Sequence, residues 1–123
     1  MLPIKDEDKS HPVPTAWRAP LRDVVNAFAR GDYALARGIP SVAPVSKSLA
    51  KRVPEALAGY GETLAELPET TWRTSVVQWM GTHWEVLVDL WTVESGASDL
   101  VLHAHVLEVK EGFRIELHLV YVP

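Results

Sequence analysis

Three histidines and two carboxylates, set out with period two, are the residues of this chain best placed to do chemistry. His103 and His105 stand two apart in the run Asp99 to Val109, and His118 falls in the run Phe113 to Val122. Alternate side chains of a β-strand point to one face, so His103 and His105 share a face, and a neighbouring strand carrying His118 sets a third imidazole beside them. Asp89 and Glu116 fall on the same side. Neutral imidazole is a zinc ligand and, near neutral pH, a general acid or base. A His-x-His pair with a third histidine therefore has the donors of a zinc site, with Asp89 as fourth ligand or as the group that orients a ring. Histidines are equally ordinary on a half-solvated sheet face, and the ligand count rests on an inferred hairpin register. The expectation is a binding face with no metal, no cofactor and no catalytic residue.

The same alternation sets Trp72 beside Trp91 toward one end of this face. Tryptophan is enriched in interface hot spots, so the pair beside charged residues suits a partner-binding patch. The competing reading is that these indoles cover the sheet or pack beneath the N-terminal arm. The candidate binding set is Trp72, Asp89, Trp91, His103, His105, Glu116 and His118. Trp79 and Trp84 are expected in the core.

These side chains need a sheet to position them. After Pro68 four β-rich runs follow, Thr71 to Met80, Trp84 to Val93, Asp99 to Val109 and Phe113 to Val122. The links Gly81-Thr82, Ser95-Gly96-Ala97 and Glu111-Gly112 suit hairpins, and parallel pairing would need long crossovers, so an antiparallel meander is expected. Trp84, Val86, Val88 and Leu90 form an apolar face, as do Leu100, Leu102, Ala104 and Val106, and Ile115, Leu117, Leu119 and Tyr121. A turn at Glu111-Gly112 sets His105 across from His118 and Leu107 across from Glu116. A turn at Gly81-Thr82 pairs Trp79 with Trp84 inside and Trp72 with Trp91 outside. Arg73 falls on the core side, near the strand end, from which it can reach water.

Two helices precede the sheet. Leu21, Val24, Val25 and Phe28 have helical spacing, with Pro20 near the first turn and Gly31 past the end. A second helix starts at Ser46 or Ser48 and carries Leu49, Val53, Ala56, Leu57 and Tyr60 on one stripe, with Gly59 and Gly61 ending it. Pro54 predicts a kink there or two shorter helices. The fold class is α+β, with two N-terminal helical segments packed on one face of a four-stranded antiparallel meander sheet. Residues 1–16 read as an extended surface arm and 17–123 as a single α+β domain.

Composition narrows the function classes. A net charge of -4 argues against nucleic-acid binding, which needs lysine and arginine gathered on one face. With no cysteine there is no disulfide, thiolate metal site or cysteine nucleophile. No run reaches the roughly 18 to 20 apolar residues of a membrane span, and no apolar leader opens the chain, so a cytoplasmic protein is expected. Gly-rich phosphate loops, Gly-x-Ser-x-Gly elbows, His-Glu-x-x-His helices and dinucleotide fingerprints are absent from the sequence.

The segments Tyr60-Gly-Glu-Thr-Leu-Ala-Glu-Leu-Pro-Glu-Thr-Thr-Trp72, Trp84-Glu-Val-Leu-Val-Asp-Leu-Trp91, Ser98-Asp-Leu-Val-Leu102 and His118-Leu-Val-Tyr-Val-Pro123 resemble an uncharacterised bacterial domain-of-unknown-function family of small proteins. The resemblance covers nearly the whole chain and implies a source and size, with no activity or site residue attached. A first helix ending in Arg30-Gly-Asp-Tyr33, more helix and a meander also look like the cystatin-like cone of nuclear-transport-factor-2-like proteins. That likeness implies an apolar pocket between helices and sheet, lined by Trp79, Trp84, Phe28 and Tyr60. The leading expectation is a non-enzymatic protein-interaction, regulatory or immunity-type module with an unknown protein partner, and the alternative is a small-molecule-binding or enzymatic cone. A homodimer through the first or fourth strand edge, or through the Trp pair, is compatible with either.

Overall fold

The computed structural model describes residues 5–123, and residues 1–4 of the expected arm lie outside the described residues. The elements run β1 (His11–Pro12), α1 (Thr15–Ala29), α2 (Lys47–Tyr60), a 3₁₀ helix (Glu69–Arg73), β2 (Val76–Trp79), β3 (Trp84–Thr92), β4 (Gly96–Val109) and β5 (Gly112–Tyr121). The fold is α+β, as its periodicities predict. The sheet is antiparallel, in the order β1-β2-β3-β4-β5.

The sheet has five strands because the N-terminal segment joins it. His11 pairs with Val77 and Pro12 with Val76, next to a fully buried Val13. A surface tail was the expectation for this stretch. Val13 supplies the reason: its side chain enters the core, and the extended geometry that Pro12 and Pro14 favour is what an edge strand needs.

α1 buries Trp17, Leu21, Val24, Val25 and Phe28, the expected stripe with one turn added. Its end is a Schellman motif, in which Gly31 N–H reaches Phe28 O, Asp32 N–H reaches Ala27 O, and Gly31 takes φ 86°. α2 is one unbroken helix through Pro54, capped by Ser46 Oγ accepting from Leu49 N–H and closed by Gly61 at φ 85°. Both stripes enter one core with Trp84, Val86, Val88, Leu100, Leu102, Ala104, Val106 and Ile115. Trp17 sits at its centre, 5.4 Å from the Trp84 ring edge-on and 5.8 Å from Phe113.

The first long strand is shorter than expected. Thr71, Trp72 and Arg73 belong to the 3₁₀ helix, and the strand begins at Val76. Hydroxyls explain the change. Thr71 Oγ1 donates to Asp89 O, while Ser75 Oγ donates to Thr71 O at 2.8 Å and accepts from Asp89 N–H at 2.9 Å. Side chains thus serve the β3 backbone where a strand ladder would have run, a substitution open to serine and threonine. Arg73 turns to solvent.

The sheet is open, with β1 and β5 at its ends, and does not close as the cone-like likeness requires. The residues expected to line a pocket are otherwise engaged. Trp84 and Phe28 are packed away from solvent, Trp79 lies 4.7 Å from Trp84, and Tyr60 Oη meets Asp99 N–H. The expected edges are partly taken: β1 covers β2 at Val76 and Val77, and the backbone of Ser41 and Ala43 bonds to Ile115 of β5.

Candidate functional site

The outer sheet face is read most directly from β3. Burial alternates along Trp84–Thr92, so Glu85, Leu87 and Asp89 point away from the core, and Trp91, past a shift in the ladder, stays partly exposed while packing against the rim of the core. Cross-strand pairing extends the face into rows. Gln78, Glu85, His105 and Glu116 form one row, Val76, Leu87, His103 and Leu119 the next, and Asp89, Val101 and Tyr121 a third. Neither helix stripe covers these rows, because both are buried in the core behind them.

The β4–β5 hairpin turns at Lys110-Glu111, with Gly112 at φ 133° opening β5. Glu116 therefore pairs with His105, two positions from the expected His105 and His118 pairing. A shift of two preserves faces, so the histidines still share one. A bulge then interrupts the ladder between His103 and Ala104, and the alternation of β5 inverts beyond it. Leu119 and Tyr121, expected in the core, lie in the outer rows, while Val120, expected outside, is buried opposite Leu102.

Four imidazoles meet as a result. The His105 ring is 3.7 Å from His118, 4.1 Å from His83 and 5.1 Å from His103, and His103 is 5.5 Å from His118. The acid among them is Glu85. Its Oε1 lies 3.0 Å from His103 Nε2, yet out of line for a hydrogen bond, so that buried nitrogen has no hydrogen-bond partner among the described residues. One ligand atom each from Glu85, His103 and His105 lie within 4.8 Å of one another. Burial, the neighbouring His118, His83 and His103, and only partial relief from Glu85 push the His105 pKa down to about 4. Burial, then His103, lowers His118 as well, with Glu116 opposing. His105 is therefore neutral at pH 7.

The structure joins some members of the expected set and separates others. His103, His105, His118 and Glu116 come together, though Glu116 turns its carboxylate to Arg114 at 3.1 Å. Asp89 stands four residues along β3 from Glu85, about 13 Å at strand rise, and is not the acid of the group. Trp91 is on the outer face six residues from Glu85, about 20 Å away. Trp72 does not pair with it. Placed by the 3₁₀ helix, Trp72 is buried on the helix side, with the Arg18 guanidinium 5.8 Å over its ring.

His83 and Glu85 are the residues that sequence reasoning left out. The signal for Glu85 was present: the turn at Gly81-Thr82, whose Trp79 and Trp84 pairing the structure shows, fixes Glu85 on the outer face, where the ladder sets it directly opposite His105. Beside Glu85 a shallow depression opens between β2 and β3, lined by Val76, Gln78, Met80 and Leu87.

The sequence profile of a family described as "Domain of unknown function (DUF7668)" matches residues 25–123. No curated protein and no solved structure matches the chain.

Proposed function

We propose that this chain, which belongs to the DUF7668 family, is a non-enzymatic protein-interaction module that docks a protein partner on the outer face of its sheet. The observation that carries the reading is the asymmetry of the sheet. One face is sealed by both helices, and the other leaves Leu87, Trp91, Leu119 and Tyr121 partly exposed around the histidines. Apolar and aromatic side chains mixed with rim charges are the makeup of a partner-binding surface. The depression beside Met80, itself 47% exposed, gives that surface relief for an apolar anchor.

A regulatory or immunity-type role in the bacterial cytoplasm is part of this proposal. The family resemblance supports the bacterial source, a chain held together by packing without disulfides suits the cytoplasm, and the role itself is argued from the open sheet face alone. Among the described residues no helix is long and apolar enough to cross a membrane. A homodimer is the form of the proposal in which the partner is a second copy, read by sedimentation across a concentration series.

The test is affinity capture from the native host with three baits: the unaltered chain, Trp91→Ala with Tyr121→Ala, and Tyr33→Ala on the helix side. The proposal expects one protein to be retained by the first and third baits and lost from the second. Retention by the second bait, with its fold intact by circular dichroism, contradicts it.

A further inference from the structure

We propose that Glu85, His103 and His105 form a binding site for a divalent transition metal ion of the zinc class. The inference goes beyond partner docking and does not depend on it.

Three observations converge on the site. The first is geometry: a carboxylate oxygen and two ring nitrogens lie within 4.8 Å of one another, held by adjacent strands whose ladder fixes their backbones. Ligand atoms around tetrahedral zinc stand about 3.4 Å apart, so side-chain rotation alone closes the set. The second is an unmet polar atom. His103 Nε2 is shut off from solvent with no in-line hydrogen bond, a state that costs free energy and that a metal ion at this point relieves. The third is the donor chemistry. Two imidazoles with one carboxylate suit zinc, nickel, cobalt or copper, whereas magnesium and calcium require mostly oxygen ligands.

The surroundings fit a metal as well. Leu87 and Leu119 flank His103 on the neighbouring strands and form an apolar wall. His118 packs on His105 at 3.7 Å between ring centres and backs that ligand from β5.

The test is calorimetric titration of the metal-stripped, tag-free chain with zinc chloride, with magnesium chloride as control. The expected result is one zinc per chain, with affinity falling roughly 100-fold in His103→Gln and in His105→Gln and unchanged in His11→Gln. His11 lies outside the group and contacts Asp6 at 3.1 Å. Absence of stoichiometric zinc binding, or equal affinity in the His103 and His105 variants, overturns the proposal. Cobalt(II) added to the unaltered chain gives a reading that needs no variant to fold: visible bands of an imidazole-ligated ion support the site, and the spectrum of aqueous cobalt overturns it.

Discussion

Glu85 and His103 sit diagonally across the β3–β4 ladder, with Oε1 3.0 Å from Nε2, and the contact lacks the alignment of a hydrogen bond. Glu85 is paired with His105 and Leu87 with His103, so the carboxylate has one imidazole directly opposite and another one row away. This offset lets a single acid address two rings, and it makes the outer face more than a row of solvated histidines.

Zinc should stabilise the protein through this pair. At a free concentration 100 times the dissociation constant, the folded state gains about 2.7 kcal/mol. Glu85→Gln should abolish most of that gain while changing metal-free stability by less than about 1 kcal/mol, because the pair is partly exposed. Guanidinium unfolding with and without zinc measures both.

Acid should weaken the metal-free fold. His105 titrates near 4 in the folded chain against 6.5 ordinarily, so the unfolded chain takes up its proton first. Its contribution is whole above about pH 6.5 and is lost as pH falls toward about 4. His118 shifts the same way, and the groups facing the pair are His83, His103, Glu85 and Glu116. His105→Gln should flatten the fall in urea midpoint across this window, measured in the presence of chelator.

The two tryptophans that sequence alternation paired should behave differently. Trp72 is 5% exposed in the core, and Trp72→Ala should destabilise by about 3–5 kcal/mol. Trp91→Ala, on the outer face against Gly96, should cost under about 2 kcal/mol and weaken partner capture. Chemical unfolding of both variants separates the roles.

Ser75→Ala should be costly for so small a change. It removes a buried hydroxyl that donates to Thr71 O and accepts from Asp89 N–H, leaving the amide unsatisfied. A loss of about 1–3 kcal/mol in unfolding free energy is expected.

The arm should report its docking in the same assay. Val13→Ala should destabilise by about 1–3 kcal/mol, since Val13 is 1% exposed, whereas exposed Lys9→Ala should stay within about 0.5 kcal/mol.

How much the chain discloses about itself follows from which forces act locally. β3 was legible residue by residue because a strand between core and solvent must alternate, and Trp84 to Thr92 does so without a break. β5 was legible only as far as Leu117. The bulge beyond it carries no glycine or proline to mark it, so the exchange of Val120 with Leu119 and Tyr121 was hidden. Gly112 misplaced the turn by one position and so the pairing by two, since a glycine beside a turn signals the turn without fixing its centre. Thr71 to Ser75 read as strand on β-branching, and the hydroxyl bonds that override it depend on Asp89, far away in sequence. The histidine group survived these errors because a two-residue slip keeps faces intact. Its acid was assigned to Asp89 instead of Glu85 because row position, unlike face, requires the exact register.

The central proposal is that this protein works with the outer face of its sheet. Hydroxyl-radical footprinting of the captured complex tests that most directly, by comparing side-chain oxidation with the free chain. Protection of Leu87, Trp91, Leu119 and Tyr121 is expected, with no change at Tyr33 in the cleft between the helices. Protection confined to that cleft, with the outer face oxidised as in the free chain, would contradict it.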